Sequence, residues 1–269
     1  MIFVRDKGQM CNNMLQYGHV YAWAREHGLR TVSMRFAYKY RYFHVCDTRY
    51  HHFLTYLFAK YGARWGLIPV VDFDEEGSIT MEKEQQMARS RLVVVQGWYA
   101  RWYDLFLKYK QEIVGLFSFH EDIEKHVGEL LSDGLRVGVH IRRGDYAHFH
   151  GGRFMYSDKQ YADVVRRCID KLPRDGKNIT IYICGNDPSL NRSLFESAFT
   201  DCRVVFPNGN PGEDLCLLSH CDYLIGAPST FTLVASMYRD LPLYWIEDVN
   251  QPVTEDSFKR FDYLFQHIY

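Results

Sequence analysis

The sequence predicts an α/β protein built from two domains with parallel sheets. Short apolar runs of strand length alternate with segments of helix length over most of the 269 residues. A Ser-Asp-Gly break at residues 132–134 divides this alternation into near-equal halves. We therefore expect two Rossmann-like domains that face a cleft, one over residues 1–132 and one over residues 133–269.

In the first half, helix ends and short apolar runs define the elements. Residues 1–4 predict a strand, and residues 9–27 predict a helix that Gly28 closes as a C-cap. The aromatic-rich region 36–90 has a weaker pattern. The remaining predicted elements are strands at 30–34, 67–71 and 92–95, and helices near 53–60, at 103–116 and at 121–131.

The second half has a more regular alternation. The predicted strands cover residues 135–141, 178–184, 202–206, 222–226 and 242–246. The predicted helices cover residues 158–172, 188–198, 212–220, 230–239 and 256–267. Strands that alternate with helices form parallel sheets, so the carboxyl ends of these strands should lie along one edge, where such folds bind ligands.

Composition excludes several classes of protein. The chain has 32 basic and 33 acidic side chains, so no bulk charge favours nucleic acid or anionic lipid as a partner. Seven cysteines without a CxxC pair argue against a disulfide framework or a zinc site and favour reduced thiols. No apolar run is long enough for a transmembrane segment or a signal peptide. We expect a cytoplasmic protein, with at most peripheral contact at the inner face of the membrane.

The strand at 135–141 ends at Arg142 and Arg143, which a Gly-Asp turn follows. Two guanidinium groups at a strand end can neutralise a diphosphate without a metal ion. Side chains alternate between the faces of a strand, so one arginine should face the ligand. We favour Arg143 as the phosphate ligand and Arg142 as a brace for the loop. The alternative is that the arginines form ion pairs with Asp145 or other acids.

Two further strand ends carry polar residues. Asn186 and Asp187 follow the strand at 178–184, and Ser229 and Thr230 follow the strand at 222–226. Hydroxyl groups and free backbone N–H groups at a helix start can hold a phosphate. The simpler interpretation is that Ser229 only caps the helix. Asp187 likewise either starts a helix or contacts a ribose or base.

These residues match the signatures of a known family. The segment from His140 to Tyr146 resembles the His-x-Arg-Arg-x-Asp-Tyr motif of the α-1,2-fucosyltransferase family. The block at 214–225 and the Ser-Thr-Phe sequence at 229–231 are similar to its second conserved block. The Gln-Gly-Trp-Tyr segment at 96–99, and the N-terminal helix with Asn12, Asn13, Gln16 and Tyr17, extend the resemblance to most of the chain.

The resemblance implies a GT-B type glycosyltransferase that uses GDP-fucose, inverts the anomeric carbon and needs no metal or other cofactor. The acceptor would be a glycan, fucosylated α-1,2 on galactose. The first domain would hold the acceptor and the second the GDP-sugar. The implied donor contacts are Asn12, Asn13, Arg142, Arg143, Asn186, Asp187, Ser229 and Thr230. Where the family has Ser-Trp-Trp, this chain has Thr232, Leu233 and Val234, which leaves acceptor and linkage open.

Two other interpretations stay open beside this one. The chain could be another GDP-sugar transferase of the same superfamily with a different acceptor or linkage. It could also be a sugar- or nucleotide-binding protein without turnover.

The chemistry requires charge stabilisation and a base. Arg143, with Arg142, Ser229 and Thr230, would stabilise the charge that develops on the leaving diphosphate. The base that activates the acceptor hydroxyl could be Asp145, His148 or His150. Asp145 could instead only orient Arg143 or the loop. His140 lies within the strand, which is typical of a packed core histidine.

Trp98 and Tyr99 follow a strand and are the candidate acceptor contacts, because sugar rings stack on aromatic faces. Asp72 and Asp74 form an Asp-x-Asp sequence that could hold a divalent cation for a nucleotide sugar. Short acidic runs are more often solvated loops, and the arginine pair already supplies the countercharge. We therefore expect no metal site there.

Overall fold

The computed structural model describes residues 1–173, 176–185 and 187–268, with only the backbone of Asp145 and Glu255. The chain divides into two compact units, Met1–Glu121 and Asp122–Tyr269. This division lies before the break predicted at residues 132–134, because the helix that begins at Glu121 joins the second unit. The Tyr182 hydroxyl, for example, donates to the Leu130 carbonyl at 3.1 Å.

The N-terminal unit contains a four-stranded parallel sheet. Its strands are β1 (Ile2–Arg5), β2 (Thr31–Ser33), β3 (Val70–Asp72) and β4 (Val93–Gln96). Its helices are α1 (Met10–Glu26), α2 (Phe53–Arg64), α3 (Met81–Arg89), α4 (Tyr103–Lys108) and α5 (Lys110–Leu116). The strand order is β2-β1-β4-β3. The centre of this sheet is formed by β-branched residues such as Val93, Val94 and Val95, which are fully buried.

The C-terminal unit contains a five-stranded parallel sheet. Its strands are β5 (Leu135–Ile141), β6 (Ile179–Gly185), β7 (Arg203–Val205), β8 (Tyr223–Gly226) and β9 (Leu243–Trp245). Its helices are α6 (Glu121–Leu130), α7 (Asp158–Ile169), α8 (Arg192–Ala198), α9 (Pro211–Ser219), α10 (Thr230–Met237) and α11 (Phe261–Phe265). The strand order is β7-β6-β5-β8-β9. The order of strands therefore reverses between β5 and β8, the position where parallel α/β sheets bind ligands.

Helix α9 packs against the centre of this sheet at Gly138. A side chain at Gly138, in the middle of β5, would lie 2.6 Å from Leu218 and 2.8 Å from Leu224. Glycine at this position leaves room for the side chains of Leu218 on α9 and Leu224 on β8.

Both units have the parallel α/β architecture that the sequence predicts, but several helix boundaries differ. The single helix predicted at 103–116 is two helices that meet at Tyr109. Helix α8 begins only after Asn191, whose side chain accepts from the Leu194 N–H and caps it. Helix α3, which the sequence did not predict, lies in the region with the weak pattern.

The last helix is shorter than predicted because Lys259 pairs with Leu243 of β9 instead. All seven cysteines are free thiols. Among the described residues, none of the helices combines the length and the apolar character needed to span a bilayer.

Candidate functional site

Three of the segments singled out in the sequence meet at the carboxyl edge of the C-terminal sheet. Strand β5 lies between β6 and β8, with Ile141 paired to Gly185 and His140 paired to Gly226. The arginine pair thus follows the central strand, between the ends of its two neighbours. The start of α10 comes directly after β8, next to the point where the strand order reverses.

Arg143 is buried and held by two carboxylates. Its side chain is about 10% exposed and donates to Asp158 Oδ1 at 2.5 Å and to Asp187 Oδ2 at 2.9 Å. The Nε atom is buried and has no hydrogen-bond partner among the described residues. This arrangement corresponds to the ion-pair alternative, with acids contributed by the start of α7 and by the loop after β6.

The two carboxylates are themselves fixed by neighbouring groups. Asp187 Oδ1 accepts from the backbone N–H and the hydroxyl of Ser189, at 2.8 and 2.6 Å. These bonds, together with Arg143, lower the pKa of Asp187 to about 2. Asp158 Oδ2 accepts from the Asn191 N–H at 3.0 Å. Arg143 thus connects the end of β5 to two other segments of the same edge.

Arg142 has a different environment from its neighbour. It is only half-buried, and its guanidinium lies 5.5 Å from the ring centre of Tyr146. Its backbone N–H donates to the Tyr161 hydroxyl at 3.4 Å. Arg142 therefore keeps part of its surface open to solvent, whereas Arg143 is enclosed.

His140 is a neutral core residue. Its ring stacks on Phe231 with centroids 4.6 Å apart and planes 17° apart. Burial, with a smaller contribution from Arg142, lowers the pKa of His140 to about 3. The side chain therefore carries no charge near neutral pH, in agreement with the expectation from its position in the strand.

Ser229 is the N-cap of α10. Its Oγ accepts from the Thr232 N–H at 3.3 Å and lies 3.1 Å from the Thr232 hydroxyl. The Thr232 hydroxyl also accepts from the Trp245 indole at 3.1 Å. Thr230 is half-exposed at the first position of the helix. The hydroxyl of Ser229 is thus used within the protein, while Thr230 lies where the helix N-terminus favours an anion.

The loop after Arg143 carries the candidate bases. Residues Gly144–Ala147 and Phe149–Gly152 form two 3₁₀ turns. His148 and His150 are exposed, and His150 has a left-handed backbone with φ of 46°. Its ring contacts Phe149 edge-on, with centroids 4.3 Å apart. The side chain of Asp145 and the whole of Asn186 lie outside the described residues.

The structure adds Asp214, which the sequence interpretation did not single out. This residue opens the block at 214–225, but it lies in the first turn of α9, where acids are common as dipole partners, so the sequence interpretation gave it no role of its own. Its carboxyl group is buried beside the thiol of Cys184 on β6. Burial raises the pKa of Asp214 to about 7. Oδ1 has no hydrogen-bond partner within the described part of the chain.

In the N-terminal unit, Asn12 and Asn13 lie in the first turn of α1. Asn13 is fully buried, and its Nδ2 donates to the Gly8 carbonyl at 3.4 Å. Its Oδ1 is buried without a hydrogen-bond partner among the residues described. Asn12 is half-buried.

Trp98 and Tyr99 follow β4 and are half-buried. The Arg101 guanidinium lies 4.3 Å from the ring centre of Trp98 and 5.7 Å from that of Tyr99. Arg101 also donates from Nε to the Trp98 carbonyl at 3.1 Å. A cation therefore occupies part of the aromatic surface that the sequence predicts for an acceptor.

The Asp-x-Asp carboxylates are engaged by protein donors. Asp72 accepts from the Gln96 amide and, at 2.7 Å, from the Asp74 N–H, while Asp74 pairs with Lys7. Two groups of three metal-capable side chains occur elsewhere in the described chain: His44, Asp47 and His120, and Glu124, Cys216 and His220. The geometry therefore gives no support to a cation between Asp72 and Asp74.

Comparison with known proteins supplies the family. The model of glycosyl transferase family 11 matches residues 80–240. Galactoside alpha-(1,2)-fucosyltransferase 2 of Gorilla gorilla gorilla is 25% identical over 170 residues, which cover 58% of this chain and 48% of that protein. Galactoside alpha-(1,2)-fucosyltransferase 1 of Rattus norvegicus is 26% identical over 192 residues, covering 65% and 49%. The chain thus spans about half the length of these curated relatives.

Solved structures show the same fold at low sequence identity. A mutant of Arabidopsis thaliana FUT1 in complex with GDP has a TM-score of 0.63 at 14% identity, covering 96% of this chain and 73% of that one. The NodZ alpha-1,6-fucosyltransferase soaked with GDP-fucose has a TM-score of 0.56 at 13% identity, covering 91% and 94%. The predicted GT-B type α/β fold is confirmed by these neighbours. Because the family model matches more than half of its residues, the chain belongs to glycosyl transferase family 11, a family of fucosyltransferases.

Proposed function

We propose that this chain transfers fucose from GDP-fucose to a glycan hydroxyl, forming an α-1,2 linkage to galactose. The observation that carries the proposal is the meeting of the arginine pair and the α10 N-terminus where the strand order of the C-terminal sheet reverses. The second domain then binds the GDP-sugar and the first domain holds the acceptor. The relatives act on galactosides, as their names state, and the neighbours bind GDP or GDP-fucose.

The geometry favours Arg142 over Arg143 as the diphosphate contact. Two carboxylates already balance the Arg143 guanidinium, so its remaining attraction for a phosphate is weak. Arg142 is half-buried and lies at the same strand end. We therefore assign Arg142 to the diphosphate and Arg143 to bracing the loop. Thr230 and the N-terminus of α10 complete the phosphate contacts.

Asp214 is our candidate for the guanine contact. A carboxylate matches the N1–H and N2 amino donors of guanine, and Asp214 has a buried oxygen without a partner among the described residues. Asp187, which the sequence suggested for the ribose or base, already accepts from Arg143 and Ser189. Asp214 therefore takes the base contact in this assignment.

Transfer with inversion needs a stabilised leaving group and a base. As the bond from the anomeric carbon to the diphosphate breaks, GDP gains negative charge, which Arg142 and the helix N-terminus stabilise without a metal ion. The acceptor hydroxyl attacks from the opposite face and loses its proton to the loop that carries Asp145, His148 and His150. Trp98 and Tyr99 are the proposed stacking surface for the acceptor sugar.

A donor and acceptor panel tests the proposal. The purified chain is incubated with GDP-fucose, GDP-mannose or UDP-galactose and with lactose, in EDTA. We expect transfer from GDP-fucose alone, with NMR of the product showing fucose on the 2-hydroxyl of galactose. Transfer from another GDP-sugar, or a different linkage, would identify another member of the superfamily. Binding of GDP-fucose without transfer to any glycan would point to a non-catalytic binding protein.

A further inference from the structure

The N-terminal unit contains a cationic cavity that neither the motifs nor the proposed donor site uses. Its volume is about 490 Å³, a size typical of small-ligand sites. It opens at the carboxyl ends of β1 and β2, beside helix α2. The residues that line it are Arg5, Asp6, Met34, Arg35, Tyr38, Tyr56, Lys60, Ala63 and Arg64.

Four cations line this cavity without a carboxylate partner. Arg5, Arg35, Lys60 and Arg64 form no ion pair within the described part of the chain. The bonds of the two strand-end arginines go to neutral groups. Arg5 donates to the Gln96 amide oxygen at 2.8 Å, and Arg35 donates to the Tyr38 hydroxyl at 2.9 Å. None of these bonds therefore joins either arginine to a carboxylate of the described residues.

The one acidic side chain that lines the cavity contributes little negative charge. Asp6 is buried and accepts from the Ser33 hydroxyl at 2.5 Å. Burial raises the pKa of its carboxyl group to about 8, so it is mainly protonated at pH 7. Arg35 contacts the Asp6 backbone carbonyl, at 3.4 Å. The cavity is thus net positive near neutral pH.

Two tyrosines give the same cavity an aromatic wall. The rings of Tyr38 and Tyr56 have centroids 4.4 Å apart, and Lys60 Nζ lies 5.4 Å from the centre of Tyr56. Met34 and Ala63 add apolar surface. Aromatic faces suit the C–H surface of a pyranose, whereas clustered arginine and lysine suit a carboxylate or phosphate.

We propose that this cavity binds a saccharide that carries an anionic group, with the pyranose on the tyrosines and the anion among the four cations. The inference deepens the proposed function and rests on it, since it adds an anionic sugar to the acceptor glycan, beside the galactose that the proposed function places on Trp98 and Tyr99. Carboxylate and phosphate share the chemistry that the cavity recognises. A bare anion would contact only the cations, and a neutral sugar would use only the tyrosines.

Calorimetric titration without donor tests the inference directly. The probes are methyl galactoside, the corresponding uronate, the corresponding 6-phosphate and inorganic phosphate, at low ionic strength. We expect at least one acidic sugar to bind about tenfold more tightly than both the neutral sugar and inorganic phosphate, since charge-assisted bonds of this kind are each worth roughly that factor. The stronger of the two acidic sugars identifies the anionic group.

A double variant locates the binding. Lys60→Gln with Arg64→Gln removes two charges on α2 and should abolish the preference for the acidic sugar. Arg30→Gln with Arg89→Gln removes two exposed charges that do not line the cavity, and should leave the preference unchanged. Arg35→Gln removes a third charge of the cavity and should independently reduce the preference for the acidic sugar. Thermal unfolding verifies that each variant is folded.

Three results would overturn the inference. Equal affinity for neutral and acidic sugars would show that the cations do not contribute to binding. Equal affinity for inorganic phosphate and the acidic sugars would show that the sugar ring does not contribute. An unchanged preference in the Lys60/Arg64 variant would place binding elsewhere. A parallel titration with GDP-fucose separates the two proposals. If the unmodified chain does not bind GDP-fucose, the proposed transferase function is contradicted, whereas the preference of the cavity for an acidic sugar is measured separately and can still hold.

Discussion

Adjacent arginines at the end of β5 have opposite surroundings, although they share one sequence motif. Arg143 is enclosed between Asp158 and Asp187, and removing any member of such a group would leave a charge without its partner. Arg142 keeps contact with solvent beside Tyr146. In our proposal the half-buried Arg142 contacts the diphosphate, and Arg143 keeps the loop rigid.

Replacing one carboxylate oxygen of Asp214 by an amide NH2 group should change the selectivity for GDP over IDP. Asp214→Asn keeps the size of the side chain but presents a donor where guanine offers donors. We expect GDP affinity to fall about tenfold, with IDP, which lacks the N2 amino group, affected less. Calorimetry with GDP and IDP measures this difference. Asp163→Asn, an exposed acid on α7, is the control, and an unchanged GDP-to-IDP ratio in Asp214→Asn would reject the assignment.

The buried carboxyl of Asp6 should make stability depend on pH. Its pKa is about 8 in the folded chain and near 3.8 in the unfolded chain, so between these values the folded state binds one more proton. Its contribution to stability is present below about pH 4 and is lost as the pH rises towards 8, at up to about 1.4 kcal/mol per pH unit.

Asp6→Asn removes this titration and should gain stability relative to the unmodified chain as the pH rises from 5 to 8. Urea unfolding at each pH measures the difference between the two free energies of unfolding. Asp214 titrates in both proteins and cancels in the comparison. Parallel curves over this range would show that Asp6 is ionised in the folded chain.

The position of the arginine pair at a strand end could be predicted from sequence, because an apolar run that stops abruptly at two charges marks the end of a buried strand. Which of the two arginines is enclosed by acids could not be predicted. The two acids that enclose Arg143 are 15 and 44 residues away along the chain, so no local pattern connects them. The burial of Asp214 could not be predicted for a related reason, since it depends on how α9 packs beside Cys184 of β6.

In our proposal, helix α10 combines a cap at Ser229 with a phosphate contact at the neighbouring Thr230. Ser229→Ala removes the bond to the Thr232 N–H and should lower the free energy of unfolding by about 1 kcal/mol. Thr230→Val keeps the shape of a half-exposed side chain and leaves the capping bond to the Thr232 N–H in place. The GDP affinity of the Thr230→Val variant should fall about tenfold, because the proposed phosphate contact is lost.

Urea unfolding and GDP titration of both variants separate the two roles. Ser236, on the same helix, donates to the Leu233 carbonyl at 2.8 Å within the buried face. Ser236→Ala therefore serves as a control in which a hydroxyl is deleted away from the helix start, and it should bind GDP normally. Normal GDP affinity in Thr230→Val would mean that α10 binds no phosphate through this side chain.

Strands were easier to predict than helix boundaries in this chain. The runs at 92–95 and 135–141 are continuous and apolar, so burial on both faces specifies them locally. The break at Tyr109, by contrast, separates Phe106 and Phe117, which are both buried in the core. Lys108 and Tyr109 both donate to Glu26 of α1 at this break, and no proline or glycine marks it in the sequence.

For the whole molecule, the family and the fold class follow from motifs that the sequence displays, while the acceptor does not. The cationic cavity is built from β1, β2 and α2, whose lining residues are spread over the first 64 positions. Taken singly, each of these residues is typical of an ordinary protein surface or strand end. Their convergence is a property of the sheet order, which brings β1 and β2 together, and only the fold reveals it.

We predict that the C-terminal unit binds GDP-fucose through Arg142 without a metal ion. Calorimetric titration with GDP-fucose and with GDP, in EDTA, tests it most directly. We predict dissociation constants on the order of micromolar for the unmodified chain and for Arg203→Ala, an exposed arginine on β7, and binding at least about tenfold weaker for Arg142→Ala. Absence of binding in EDTA, or full affinity in Arg142→Ala, would contradict the claim.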